Sequence, residues 1–121
     1  MNYSVDVSPS GKYIIIKVIG EMTVEIGKIT NEKADNLGRR LNIKSLLSDL
    51  RECVNREKMD ANISFSYKKL PKVKDSIFEK VAMLITPGDR SHDIIYITAT
   101  NAGYNVRMFS EEEEAVKWLE T

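Results

Sequence analysis

The chain has 121 residues, of which 42% are hydrophobic and 30% are charged. This length and composition are typical of one globular domain, so we expect residues 1–121 to form a single folded domain and not a disordered segment. The 18 basic and 18 acidic residues cancel, and the lack of a basic excess argues against a nucleic-acid-binding protein.

Cysteine usage and hydropathy predict the compartment. Cys53 is the only cysteine, so it cannot form an internal disulfide or a paired-cysteine zinc motif. The first residues lack the basic and then apolar pattern of a signal peptide. No apolar run approaches the roughly 20 residues that span a membrane. We therefore expect a cytoplasmic protein without a transmembrane segment.

The chain begins with a predicted β-hairpin. Apolar and polar residues alternate over 3–7, which is typical of a half-buried strand. Residues 13–19 are apolar on both faces apart from Lys17, which predicts a central strand covered on both sides. The turn residues at 8–11 join the two strands closely, so we expect them to be antiparallel.

A helix is predicted from Thr23 to Leu41, with Asn42 as its left-handed C-terminal cap. Its inner face is predicted to contain Ile26, Ile29, Thr30, Ala34, Leu37 and Leu41. Gly27 and Gly38 inside the helix are each expected to cost about 1 kcal/mol relative to alanine.

The middle of the chain is ambiguous. Residues 43–50 predict a strand, and the charged residues 51–61 predict an irregular segment. The apolar residues at 63–70 fit either a strand or a helical face. We favour a short helix that ends at Pro71, because parallel strands need a crossover connection.

A second strand–helix unit follows. Residues 80–86 predict a buried strand, and Pro87 and Gly88 end it. Either Asp89 or Ser91 is expected to cap a helix that runs to about residue 102. Its predicted inner stripe consists of Ile94, Ile95, Thr98, Ala99 and Ala102.

The C-terminal residues predict a last strand and a last helix. Gly103 ends the preceding helix, and residues 105–109 form the strand. Ser110 and Glu113 are spaced as a capping box. The residues that dock this helix are Ala115, Trp118 and Leu119. The predicted order, β-β-α-β-α-β-α-β-α, is that of an α/β domain. It implies a mixed, mostly parallel sheet opened by a β-hairpin, with about four helices.

Two side chains could carry chemistry, and neither has a partner at a suitable spacing. His92 is the only histidine, and we interpret it as an exposed residue of the first helical turn. Cys53 lies just past the predicted end of a strand, where open α/β sheets place ligands. The spacing indicates no Cys–His pair, so we interpret Cys53 as an unreactive thiol.

Polar residues at two predicted strand ends are the best candidates for binding a ligand or a partner. They are Asp49, Arg51, Thr86, Gly88, Arg90 and His92. Free amides at the helix start after Gly88 would suit an anion, but capping by Asp89 or Ser91 is the favoured interpretation. The sequence contains no glycine-rich phosphate loop and no metal-ligand cluster. We expect no catalytic residues, no metal and no cofactor.

Three segments together resemble the SpoIIAA-like (STAS-like) family of small bacterial proteins. They are residues 43–51, residues 81–93 and residues 101–109 with Ala115, Trp118 and Leu119. The resemblance covers nearly the whole chain and implies the fold of that family. STAS domains are regulatory modules, so the resemblance also implies a regulatory role.

The chain departs from one motif of that family. Anti-sigma-factor antagonists carry an Asp-Ser-Ser/Thr-Gly phosphoswitch at a helix start after the third strand. Here the strand end at residues 49–51 resembles the position that precedes the switch, but residues 51–63 contain no serine, threonine or glycine. The usual phosphoserine switch is therefore missing.

Three functions remain open from the sequence. The first is a non-enzymatic regulatory or protein-interaction domain, which would use residues 49–60 and the following helix to contact a partner or a second copy. The second is a carrier or sensor of a small apolar, lipid-like ligand. Its pocket would be lined by Phe65, Tyr67, Phe78, Met83 and Ile95. The third is a small enzyme that uses Asp49, Arg51, His92 and Asp93 in one cleft.

Overall fold

The computed structural model describes residues 2–57, 61 and 75–121. Their elements are β1 (Tyr3–Val7), β2 (Ile14–Met22), α1 (Val24–Leu41), β3 (Ser45–Asn55), β4 (Lys80–Leu84), α2 (Asp93–Asn101), β5 (Val106–Phe109) and α3 (Glu112–Glu120). The predicted order of strands and helices is confirmed for these residues. The predicted short helix at 63–70 lies outside them.

The five strands form one sheet in the order β1-β2-β3-β4-β5. β1 is antiparallel to β2, which confirms the predicted hairpin, and Tyr3 pairs with Val18. The β2–β3, β3–β4 and β4–β5 pairs are parallel. The mixed, mostly parallel sheet predicted from the element order is therefore confirmed.

Helices cover both faces of the sheet. On the first face α1 packs mainly against β1 and β2, and α2 packs against β5. The core of this face includes Ile14, Ile16, Leu46, Leu50, Met83 and Val106. On the second face α3 packs against β3, β4 and β5, where Ala115 and Leu119 meet Leu47, Ala82 and Leu84. The predicted docking of the last helix is confirmed.

α1 has the predicted C-terminal cap, and Thr30 and Ala34 of its predicted inner face are buried. The Thr23 hydroxyl accepts a hydrogen bond from the Ile26 amide at 3.1 Å, and Asn42 adopts a left-handed conformation with φ of 55°. The buried residues of the helix are Gly27, Thr30, Ala34 and Gly38. Leu41, predicted to face inward, is 46% exposed. Small residues therefore form the contact stripe, and they bring the helix close to the sheet.

Gly38 permits a close approach that no other residue allows. A Cβ atom at this position would lie 2.8 Å from the Ile43 carbonyl oxygen and 3.1 Å from the Phe78 ring. Besides the helix-propensity cost expected from the sequence, Gly38 therefore meets a packing requirement that the sequence did not indicate. The position needs a residue without a side chain, because the chain turns back over it into β3.

We expect Gly38→Ala to lower the free energy of unfolding by about 1–3 kcal/mol, because overpacking outweighs the gain in helix propensity. Denaturant unfolding measures the change. Asn36→Ala, at an exposed position of the same helix, serves as the control and should leave stability unchanged or slightly raised. A more stable Gly38→Ala protein would contradict the packing argument.

β3 is longer than predicted. Residues 51–55 were expected to be irregular because they are charged, but they continue the strand to Asn55. They pair with the last residues of β2, from Ile19–Glu52 to Met22–Asn55, after a register shift that follows Lys17. Pairing with a strand distant in sequence thus overrides the local composition. Cys53 consequently lies inside β3 and not past its end.

The predicted caps of the last two helices are wrong. α2 begins after His92, and no side chain caps it; the Asp89 carboxylate instead accepts from the Ser91 amide at 2.9 Å. The Ser91 hydroxyl accepts from the Asn55 amide at 3.1 Å, so it holds the end of β3. α3 begins after Glu111, where the chain is still extended, and the Ser110 capping box does not form.

Candidate functional site

The carboxyl ends of the parallel strands bring two groups of polar side chains together. The first group consists of Asp49, Arg51, Thr86 and Glu112, and we call it the guanidinium cluster. The second consists of Cys53, Asp89 and His92, and we call it the thiol–imidazole cluster. Open α/β sheets place ligands at this edge, so both clusters are candidate sites.

Arg51 organises the guanidinium cluster. Its Nε and Nη2 atoms donate to the two carboxylate oxygens of Asp49, both at 2.9 Å, and Nη2 also donates to Glu112 at 2.9 Å. Asp49 is only 7% exposed. Burial opposes its ionisation, but the side-chain and backbone hydrogen bonds from Arg51 outweigh burial and lower the pKa of Asp49. This buried carboxylate is therefore charged and fully engaged.

The turn after β4 closes against the same cluster. The Thr86 hydroxyl donates to the Arg51 carbonyl at 2.8 Å. Gly88 has φ of 88°, in the left-handed region that favours glycine, and the turn is closed by the Asp89 amide on the Thr86 carbonyl at 3.1 Å. The exposed Arg90 pairs with Asp93 of its own turn, at 2.9 Å. Of the six predicted site residues, the structure thus brings Asp49, Arg51 and Thr86 into direct contact.

His92 is buried, so its interpretation as an exposed first-turn residue is wrong. It is 2% exposed, and its Nε2 atom lies 3.1 Å from the Cys53 carbonyl oxygen and 3.9 Å from the Cys53 sulfur. The Asp89 carboxylate lies 3.7 Å from the same nitrogen. The expected separation of the only imidazole from the only thiol is therefore wrong as well. Sequence spacing gave no signal, because 39 residues separate the two positions.

Proximity alone does not make Cys53 and His92 a catalytic pair. Burial, followed by the charges of Asp89 and Asp49, raises the pKa of the Cys53 thiol to about 11. A carbonyl oxygen only accepts hydrogen bonds, so Nε2 carries a proton and donates it to the Cys53 carbonyl. Nε2 then cannot also accept the thiol proton. The arrangement holds a protonated thiol beside an imidazole that is engaged with the backbone.

A cavity of about 130 Å³ lies on the first face of the sheet, between α1 and α2. Its apolar wall includes Ile16, Leu46, Leu50, Phe78, Val81, Met83, Ile95, Ala99 and Val106. Phe78, Met83 and Ile95 were predicted to line such a pocket; Phe65 and Tyr67 lie outside the described residues. An engineered cavity of about 150 Å³ with similar walls binds benzene, so this volume suits a molecule of that size.

The described part of the chain contains neither a metal-binding group of side chains nor a membrane-spanning helix. Within residues 2–57, 61 and 75–121, no three His, Cys, Asp or Glu residues are grouped to hold a metal ion. No helix among these residues is long and apolar enough to cross a membrane.

No protein-family model matches the sequence, and no curated protein matches it. Solved structures do match. One is an uncharacterised protein of the DUF3478 family with a SpoIIAA-like fold, from Shewanella loihica PV-4. It is 16% identical, with 97% of this chain and 91% of that chain covered and a TM-score of 0.58. The chain has a SpoIIAA-like fold.

A second solved structure agrees with the SpoIIAA-like fold. It is an anti-sigma factor antagonist from Mycobacterium paratuberculosis, 12% identical, with 98% of this chain and 93% of that chain covered and a TM-score of 0.58. The fold predicted from the family resemblance is therefore confirmed. Identities this low show the fold alone, so the function has to be argued from the side chains of this SpoIIAA-like chain.

Proposed function

We propose that this chain is a non-catalytic, regulatory protein-interaction domain that acts without the phosphoserine switch. The feature that carries the proposal is an exposed region of the second sheet face, formed by Ile19, Glu21, Glu52 and Val54. We call it the open sheet patch. The engaged side chains of the guanidinium and thiol–imidazole clusters support the non-catalytic part of the proposal.

The open sheet patch lies on the extended ends of β2 and β3. Ile19 pairs with Glu52, and Glu21 pairs with Val54, so the four side chains project from the same face. α3 packs on this face over β3, β4 and β5. Ile19 is 48% exposed and Val54 is 39% exposed. Two large apolar side chains on adjacent strands are thus accessible to a partner.

Charges surround these apolar side chains. Lys17 and Glu52 form an ion pair at 2.9 Å, and both are well exposed. Arg51 and Glu112 form another on the same side of the sheet, at 2.9 Å. An apolar centre with a charged rim is the usual composition of a protein interface, and its charges select the partner more than they add affinity.

The test is a pull-down from the source cells, coupled to native mass spectrometry. We expect the wild-type chain to capture a protein or to form a dimer, and the double variant Ile19→Asp/Val54→Asp to weaken either complex by roughly tenfold or more. Ile97→Asp is the matched control, since Ile97 is 50% exposed on α2. The proposal fails if the patch variant behaves like this control, or if the wild-type chain associates with no protein.

The cavity favours a second function, the binding of a small apolar ligand. Its wall is predominantly apolar, and it lies between two helices over parallel strands, where many folds bind ligands. Native mass spectrometry of freshly purified protein would show a mass increment that disappears on denaturation. A bare polypeptide mass in every preparation would count against this function.

A further inference from the structure

A serine hydroxyl in the cavity wall, that of Ser48, has no hydrogen-bond partner among the residues that the structure describes. β3 contributes Leu46, Ser48 and Leu50 to the wall, at alternate positions of the same sheet face. Ser48 pairs with Ile16 of β2 and with Met83 of β4, both of which also line the cavity. The serine hydroxyl therefore lies in the middle of an apolar row that crosses three strands.

The Ser48 hydroxyl makes no hydrogen bond to any described residue. Other polar side chains in the cavity wall do make hydrogen bonds. Those neighbours are occupied: Thr30 donates to the Ile26 carbonyl, Asn31 donates to the Gly27 carbonyl, Asp35 accepts from Arg39, and Ser76 accepts from the Phe78 amide. A ligand that forms a hydrogen bond with a hydroxyl in an apolar cavity is stabilised by that bond. Ser48 is thus available to a bound molecule.

We infer that Ser48 is the polar anchor of this cavity and determines which ligands it selects. The ligand is a small, uncharged and mainly apolar molecule with one hydrogen-bonding oxygen, such as a phenol or a short-chain alcohol or ketone. The cavity of about 130 Å³ accommodates a molecule of about the size of benzene, roughly six to seven non-hydrogen atoms, judged from benzene in a cavity of about 150 Å³. A charged ligand is disfavoured, because its charge would lose hydration in the apolar wall. This inference rests on the second proposed function.

Toluene and phenol form a matched pair of probes, since they have the same number of non-hydrogen atoms and differ in the hydroxyl group. We would titrate each into the isotope-labelled chain and follow the amide resonances of the cavity residues. In Ser48→Ala the preference for phenol over toluene should fall by roughly fivefold, the effect of one neutral hydrogen bond. Toluene binding should change little, and Ser48→Thr should restore the preference for phenol.

A filling variant locates the site. Ala99 is buried and lines the cavity, so Ala99→Leu should abolish the binding of both probes. If both probes bind and the ratio of their affinities is the same in wild type and Ser48→Ala, the anchor role is wrong and the cavity function survives. If neither probe binds wild type, or if Ala99→Leu leaves binding intact, both the inference and the ligand-binding function are wrong.

Discussion

Replacing Arg51 by methionine is expected to lower the free energy of unfolding by about 2–4 kcal/mol, somewhat less than for a fully buried pair because Arg51 is partly exposed. The Arg51 side chain supplies one hydrogen bond to each carboxylate oxygen of Asp49, and the backbone amide of the same residue adds a longer one at 3.3 Å. The Asp49 side chain is 9% exposed, whereas that of Arg51 is 39% exposed. The substitution keeps most of the packing volume but leaves a charge in the sheet without its partner. Denaturant unfolding at neutral pH measures the loss.

The pH dependence of stability gives a second signature of the same pair. Arg51 lowers the pKa of Asp49 against the effect of burial. The wild-type contribution is therefore present above the ordinary aspartate pKa of about 4 and is lost as the pH falls through the lowered value. Without the guanidinium, burial is opposed only by the backbone amide of residue 51 and the charge of Lys17, so the pKa of Asp49 should rise. Lowering the pH then protonates Asp49 and removes an unfavourable buried charge. The variant should therefore gain stability relative to wild type as the pH falls.

Glu112→Gln is the matched control for Arg51. It removes the other carboxylate that Arg51 contacts, but Glu112 is 56% exposed and the pair is screened by solvent. We expect a change of about 0.5 kcal/mol or less. If Glu112→Gln and Arg51→Met destabilise the chain equally, the buried Asp49 is not the source of the effect.

The sequence predicted elements whose determinants are local. Alternation over residues 3–7, the β-branched run of β2 and the cap at Asn42 each depend on neighbours within a few positions, and all three are found. The predicted order of strands and helices then indicated a mostly parallel sheet. Local patterns were sufficient here because the hairpin and the helical crossover leave few topologies open.

The predicted caps of α2 and α3 failed although they are local, whereas the predictions for the end of β3 and for His92 failed because they depend on residues far apart in the chain. β3 extends to Asn55 because the end of β2 pairs with it, which the charges of residues 51–55 do not indicate. The extension then places Cys53 against His92. One local signal in α1 was only partly used: Thr30 and Ala34 were placed on the inner face, but Gly27 and Gly38 recur at the same helical spacing and complete a closely packed face.

Cys53 provides the sharpest test of whether the thiol–imidazole cluster is catalytic. At pH 8 we expect the native thiol to react with iodoacetamide about 100-fold or more slowly than the unfolded chain, because only the thiolate reacts. The pKa of about 11 leaves little thiolate at that pH, and the sulfur is buried. His92→Gln should leave the native rate nearly unchanged, since the imidazole already donates to the Cys53 carbonyl. A fast native reaction that depends on His92 would instead reveal an activated nucleophile and contradict the proposed non-catalytic role.

The same thiol links stability to alkaline pH. Because the folded chain holds the Cys53 proton up to a pKa of about 11, the unfolded chain loses this proton first as the pH rises past about 8.5. The thiol contribution to stability is therefore complete below that value and declines as the pH rises towards the native pKa. Cys53→Ala removes this contribution, so the stability difference between wild type and variant should shrink between pH 8.5 and the native pKa. A difference that stays constant over this range would mean that the thiol ionises as easily in the folded chain as in the unfolded one, and Cys53 beside His92 would then be a candidate nucleophile.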